Sequence, residues 1–120
     1  MDFIPTNLVI ERQYPKLVRD NIPEIIEKKT GKPPSTSILA DDDQFLHYLL
    51  KKMVEEATEL EHSIETDNMQ EELADIFELI TAILKLKHWT IEDIITVQQE
   101  KRLKNGGFNK RILLNNIEQL

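Results

Sequence analysis

The sequence has no cysteine, and its 120 residues include only three glycines and five prolines. Without cysteine, disulfide bonds, thiolate nucleophiles and zinc–thiolate sites are excluded. So little glycine and proline argues against a β protein with many tight turns. The longest apolar stretch, residues 76–86, is broken by Glu78 and Lys85, which argues against a membrane span. The start of the sequence shows no basic segment followed by an apolar run, so we expect no signal peptide and a cytoplasmic location.

The composition is that of an ordinary globular chain, with 40% hydrophobic and 31% charged residues. A chain of 120 residues can bury one modest core, so we predict a single domain spanning residues 1–120.

Helical periodicity and capping residues predict an all-α fold with a helical hairpin at its centre. Pro23 fits the first turn of a short helix, and Thr90 with Asp93 forms a capping box at the start of another. Leu8–Ile10 is at most a short extended segment, part of an N-terminal arm, residues 3–14, that shows no helical stripe. Residues 31–40 are predicted to be a loop, in which residues 35–39 have the option of an extended conformation. The predicted helices are residues 24–29, 41–65, 69–87, 90–105 and 108–119.

The two long helices, 41–65 and 69–87, are joined by a short turn and should therefore run antiparallel and face each other. At about 100° per residue, Glu56 falls inside the apolar arc of the first helix, Glu59 lies at its edge, and Glu55 points outward. On the second helix Glu72 lies beside the apolar stripe, with Asp75 further out on the same side. The predicted apolar stripes are Leu46, Leu49, Met53, Ala57, Leu60 and Ile64 on the first helix, and Leu73, Ile76, Phe77, Ile80, Ile83 and Leu84 on the second.

Both long helices thus direct carboxylates towards one flank of their interface. Carboxylates that share a partly buried place repel one another and lose hydration, unless a cation compensates. Oxygen ligands alone favour Mg²⁺, Mn²⁺ or Ca²⁺ over zinc. The alternative is an acidic face that is simply solvated, which is common on protein surfaces.

Charge is distributed unevenly along the chain. The net charge is −7, but residues 41–78 contain thirteen acidic residues and two lysines, so the remainder carries +4. The acidic total argues against a general nucleic-acid-binding protein. Basic residues concentrate instead at Lys16 and Arg19 and within residues 101–111, where Gly106-Gly107 permits a loop that contacts an anion. The alternatives are an ordinary helix C-terminus for the second group and a surface ion pair for the first.

Metal-binding carboxylates combined with basic residues are typical of a polyphosphate site. The spacing Glu55-Glu56-x-x-Glu59 followed by Glu72-x-x-Asp75 resembles the EExxE…ExxD signature of the all-α nucleoside triphosphate pyrophosphohydrolases, the MazG-like superfamily. Residues 16–23, KLVRDNIP, and residues 106–112, GGFNKRI, are similar to the ends of its small phosphoribosyl-ATP pyrophosphohydrolase-like branch. The resemblance covers residues 14–114, although Asn105 stands where that branch often has a basic residue.

The resemblance implies a MazG-like helical bundle that hydrolyses the bond between the α and β phosphates, yielding a nucleoside monophosphate and pyrophosphate. It implies Mg²⁺, or Mn²⁺, as cofactor and house-cleaning of nucleotides as the role, with phosphoribosyl-ATP hydrolysis in histidine biosynthesis as the alternative substrate assignment. Glu56 is the implied base. The implied metal ligands are Glu56, Glu59, Glu72 and Asp75, and the implied phosphate-binding residues are Lys16, Arg19, Lys101, Lys104, Lys110 and Arg111.

Two other classes of protein compete with this interpretation. A di-iron bundle needs two Glu-x-x-His motifs, and only Glu59 with His62, expected to point outward, has that spacing. A non-catalytic helical interaction module is the second alternative, because a member of an enzyme family can keep its fold after losing its activity. We also expect a homo-oligomer, a dimer or tetramer, since the apolar faces of two long helices exceed what this small chain can cover.

Overall fold

The computed structural model describes residues 14–118 and is all-helical over that range, with no strand. The predicted extended segment Leu8–Ile10 lies outside the described residues. A single 3-10 turn, Ser63–Glu65, follows the second helix. The four helices are α1 (Ile22–Thr30), α2 (Asp42–His62), α3 (Met69–Lys87) and α4 (Ile91–Asn105).

The chain divides into two compact units, one ending at Lys87 and the other beginning at His88. The first contains α1, α2 and α3, and the second contains α4 and the segment that follows it. No helix in residues 14–118 combines the length and apolarity needed to cross a membrane.

Local sequence determines where α1 and α2 begin and end. Pro23 occupies the first turn of α1, and Gly31 ends that helix in the left-handed conformation, φ 81°, with its N–H donating to the Glu27 carbonyl. Left-handed backbone is where glycine is favoured because it has no Cβ. Asp41 caps α2 by accepting a hydrogen bond from the Gln44 N–H, at 2.9 Å.

The predicted turn between the two long helices is also present. Asp67 adopts a left-handed conformation, φ 61°, and α3 begins at Met69, as the sequence predicted. In the second unit, Thr90 and Asp93 form the predicted capping box at the start of α4. Gly106 follows Asn105 at the end of that helix, again at the predicted place.

The prediction of a last helix at residues 108–119 is wrong, since residues 111–118 have no regular secondary structure. Arg111 adopts a left-handed conformation, φ 56°, which a helix does not tolerate. The apolar side chains that were to support this helix, including Ile112 and Leu113, are exposed. A short helix with no surface against which to bury its apolar face is marginal in water.

In the first unit, α2 packs against α3, and the short connection makes the two helices antiparallel neighbours. Leu49, at 1% exposure, is the buried hydrophobic residue among those described. Three residues of the predicted apolar stripes are instead largely exposed: Ile64 at 73%, Phe77 at 64% and Leu73 at 41%. Ala57 is also exposed.

The helices are thus rotated relative to the prediction. The residues of α3 that are at least half-buried include Glu72, Ile76, Leu79 and Ile83, and this face is centred near Glu72 rather than Leu73. On α2 the corresponding face is centred near Glu56 rather than Met53. The acidic residues therefore lie closer to the helix–helix interface than the apolar pattern alone indicated.

Candidate metal centre

Five carboxylates converge between α2 and α3, in two groups that share Glu56. In one group, single carboxylate oxygens of Glu56, Glu72 and Asp75 all lie within 4.8 Å of one another. In the other, oxygens of Glu55, Glu56 and Glu59 satisfy the same distance. Three of the four predicted metal ligands, Glu56, Glu72 and Asp75, thus lie in one group, whereas the fourth, Glu59, is grouped with Glu55 and Glu56.

Glu56 is the central residue of the cluster. It is 6% exposed, and its Oε1 atom is buried without a hydrogen-bond partner. Burial, followed by the charges of Glu59 and Asp75, raises the pKa of Glu56 from 4.5 to about 8. Lys52 opposes this shift, since its positive charge favours the ionised carboxylate. The buried oxygen is therefore costly as a bare anion and well suited to a cation.

Glu72 is the counterpart of Glu56 on α3. It is half-buried, and its Oε1 atom is likewise buried without a hydrogen-bond partner. Burial is the largest cause of the raised pKa of Glu72, a hydrogen bond with Glu56 lowers this pKa, and the neighbouring charge of Asp75 raises it. One buried carboxylate oxygen on each of the two facing helices thus has no hydrogen-bond partner.

Glu55 does not point outward as predicted, but is buried at 9% exposure. Its carboxylate accepts a hydrogen bond from the Lys52 ammonium at 3.0 Å, and the same ammonium lies 3.9 Å from Oε2 of Glu56. The angle of a residue around its own helix axis does not include its burial by neighbouring side chains. Lys52 is also a residue that the sequence analysis missed, although Lys-x-x-Glu-Glu places all three side chains on one helix face.

Arg19 is a second basic residue that contacts the cluster. Its guanidinium donates a hydrogen bond to Asp75 at 2.6 Å, across 56 positions of sequence. Both side chains are partly exposed, so the pair is accessible to solvent and to a ligand. One predicted phosphate-binding residue thus directly contacts one predicted metal ligand.

The other predicted basic residues are distributed over both units. Lys16 is half-buried in the first unit, close to the Tyr14 ring, with its Nζ 5.8 Å from the ring centroid. The remaining four belong to the second unit and are exposed: Lys101, Lys104, Lys110 and Arg111. Their roles stay predictions.

His62, which was expected to point outward, is half-buried, and its Nδ1 atom is buried without a hydrogen-bond partner. The groups with metal-ligand geometry among residues 14–118 contain carboxylates and no histidine. The site therefore offers only hard oxygen donors.

The residues fit a hard divalent cation. Such an ion prefers several carboxylate oxygens, and the unpartnered Oε1 atoms of Glu56 and Glu72 are available as ligands. Asp75, whose Oδ1 accepts a hydrogen bond from Arg19, would be the third ligand of the first group. Glu55 and Glu59, with Lys52, flank this group on α2.

Comparison of the chain with known protein families, curated proteins and solved structures finds no match.

Proposed function

We propose that this protein is a Mg²⁺-dependent nucleoside triphosphate pyrophosphohydrolase, with Mn²⁺ as an alternative metal and a MazG-like helical bundle as its fold. The observation that carries the proposal is the buried, unpartnered Oε1 of Glu56 beside Glu72 and Asp75. The order of the acidic and basic motifs along the sequence supports the same assignment.

A bound Mg²⁺ supplies charge neutralisation for the phosphates and lowers the pKa of bound water. Glu56, Glu72 and Asp75 would hold the ion, and Glu59 is the fourth proposed ligand. Glu56 is the proposed acceptor of the proton of the attacking water, a role for which a carboxylate beside the site is suited once it is ionised. The water oxygen bonds to the α-phosphorus as the bond to the bridging oxygen breaks, which releases a nucleoside monophosphate and pyrophosphate.

Arg19 is placed to bind phosphate at the edge of this site. Its guanidinium already contacts an anionic oxygen, that of Asp75, and a phosphate oxygen offers the same hydrogen-bonding geometry. Lys16, three residues earlier on the same segment, is the second candidate for this role. The phosphate-binding role of four further basic residues stays a prediction from the resemblance alone: Lys101, Lys104, Lys110 and Arg111.

We propose in addition that the protein is a homo-oligomer. Residues 14–118 contain a single buried hydrophobic residue, whereas α2 and α3 expose Leu50, Val54 and Phe77. Ile64 in the 3-10 turn and Leu73 on α3 are exposed on the same hairpin. Apolar side chains on one contiguous helical hairpin are typically covered by another copy of the chain.

The proposed activity is tested by incubating the purified protein with Mg²⁺ and a panel of nucleoside triphosphates, deoxynucleoside triphosphates and phosphoribosyl-ATP. Release of pyrophosphate together with the monophosphate is the expected result, and it identifies the preferred base and sugar. Preference for phosphoribosyl-ATP would assign the protein to histidine biosynthesis instead of house-cleaning. Orthophosphate release, or no turnover of any substrate, would contradict the proposal, and the latter result would favour an interaction module.

A further inference from the structure

Lys52 has an unusual environment for a lysine. Its side chain is only 19% exposed, and its ammonium lies 3.0 Å from Oε2 of Glu55 and 3.9 Å from Oε2 of Glu56. Since Lys52 precedes these residues by three and four positions, α2 places all three side chains on one face. A lysine at a helix surface ordinarily keeps its ammonium in water.

The two oxygens of Glu56 consequently have different surroundings. Oε2 faces the Lys52 ammonium, whereas Oε1 is buried and has no hydrogen-bond partner. Glu56 belongs to the three-carboxylate group with Glu72 and Asp75. The ammonium therefore lies beside one oxygen of the shared carboxylate, at an ion-pair distance longer than a hydrogen bond, and the other oxygen has no hydrogen-bond partner.

We infer that Lys52 is a positioning residue for Glu56, with Glu55 as its anchor. Glu55 holds the ammonium by a hydrogen bond, the ammonium attracts Oε2 of Glu56 across 3.9 Å, and Oε1 would thereby be oriented towards a bound cation. Lys52 itself contacts neither metal nor substrate. This inference rests on the proposed metal site, and it assigns roles to Lys52 and Glu55 that the acidic motif does not give.

The competing explanation is that Lys52 acts only through its charge. The two explanations predict opposite effects of removing the ammonium. If the charge merely repels a cation, Lys52→Met should tighten metal binding. If the ammonium orients Glu56, the same variant should weaken metal binding, because partners that orient metal ligands typically contribute about 10- to 100-fold in affinity.

The test is calorimetric titration of Mg²⁺ into the nucleotide-free protein, so that no result depends on hydrolysis. Lys52→Met is expected to weaken binding by roughly tenfold, and Lys52→Arg, which retains charge and donors, to recover most of the loss. Lys51→Met removes one charge from an exposed position of the same helix and serves as the matched control, with little change expected. Circular dichroism verifies that each variant is folded.

A second variant tests the anchor. Glu55→Gln removes the charge that holds Lys52, so it should weaken Mg²⁺ binding by a similar factor. The double variant should be no weaker than Lys52→Met alone, because both substitutions break the same chain of contacts. Glu55→Gln also keeps the inference testable if Lys52→Met does not fold.

Tighter or unchanged Mg²⁺ binding in Lys52→Met, with Glu56→Gln still impairing it, would overturn the positioning role and leave the metal site intact. Absence of Mg²⁺ binding in the wild-type protein would overturn the metal site and the positioning role together.

Discussion

Replacing Glu56 with glutamine is expected to stabilise the metal-free protein at neutral pH while abolishing its response to Mg²⁺. Folding raises the pKa of this carboxyl from 4.5 to about 8, mainly through burial. Between those pH values the unfolded chain has lost the proton that the folded chain still holds. The free energy of unfolding therefore falls as pH rises through this window, and it is highest below it.

The size of this change in stability follows from the width of the pH range between the two pKa values. Each pH unit above 4.5 lowers the free energy of unfolding by about 1.4 kcal/mol, until the pKa of Glu56 in the folded protein is reached. At pH 7 the free energy of unfolding of the wild-type protein is thus about 3 kcal/mol lower than that of a protein whose side chain at position 56 stays neutral. Glutamine is neutral throughout and of the same size, so Glu56→Gln should gain up to that amount, which for a chain of this length is roughly 10 °C in Tm.

The assay is urea denaturation in EDTA from pH 5 to pH 8, at one protein concentration because association also stabilises the folded state. Wild-type stability should decline across this range, and the decline should be much smaller in Glu56→Gln. Mg²⁺ should restore wild-type stability at pH 7 and leave the variant unchanged. Glu61→Gln, on the exposed part of the same helix, is the matched control. A Glu56→Gln protein that is no more stable than wild type at pH 7 in EDTA would refute the reasoning.

Three further predictions concern the remaining parts of the site and the hairpin surface. Glu72→Gln should lower pyrophosphate release by at least about a hundredfold with helicity unchanged by circular dichroism, and turnover near the wild-type rate would exclude Glu72 as a metal ligand. Arg19→Met should tighten Mg²⁺ binding in the absence of nucleotide, since Asp75 loses a competing cation. The same variant should raise the KM for nucleotide. Weaker Mg²⁺ binding would contradict the competition between Arg19 and the metal for Asp75. Phe77→Glu should lower the mass measured by light scattering, because the substitution places a charge on the proposed oligomer surface. Glu78→Ala is its neighbouring control, and a wild-type protein that is monomeric at micromolar concentration would remove the oligomer proposal.

Elements whose ends are fixed by local chemistry could be predicted from the sequence. The capping box of Thr90 and Asp93 was predicted, because it depends on residues within one turn. The segment after Gly106 could not be predicted in this way. Its apolar residues have helical spacing, but spacing yields a helix only where a surface covers the apolar face.

The site was predictable to the extent that it depends on helix rotation. Glu56 and Glu72 fall beside or within apolar residues, and both are indeed shielded from solvent. The burial of Glu55 was missed, because side chains such as Lys52 provide covering that a rotation angle does not include. The contact between Arg19 and Asp75 joins distant parts of the chain, and nothing in the local sequence identifies such a pair.

The most direct test of the acidic site is Mn²⁺ binding to the nucleotide-free protein, followed by the electron paramagnetic resonance signal of free Mn²⁺. We predict saturable binding in the wild-type protein that competes with Mg²⁺, survives in Glu61→Gln and is lost in Glu56→Gln. Binding of equal strength in Glu56→Gln and wild type, or no saturable binding in either, would contradict the claim that these carboxylates form a cation site.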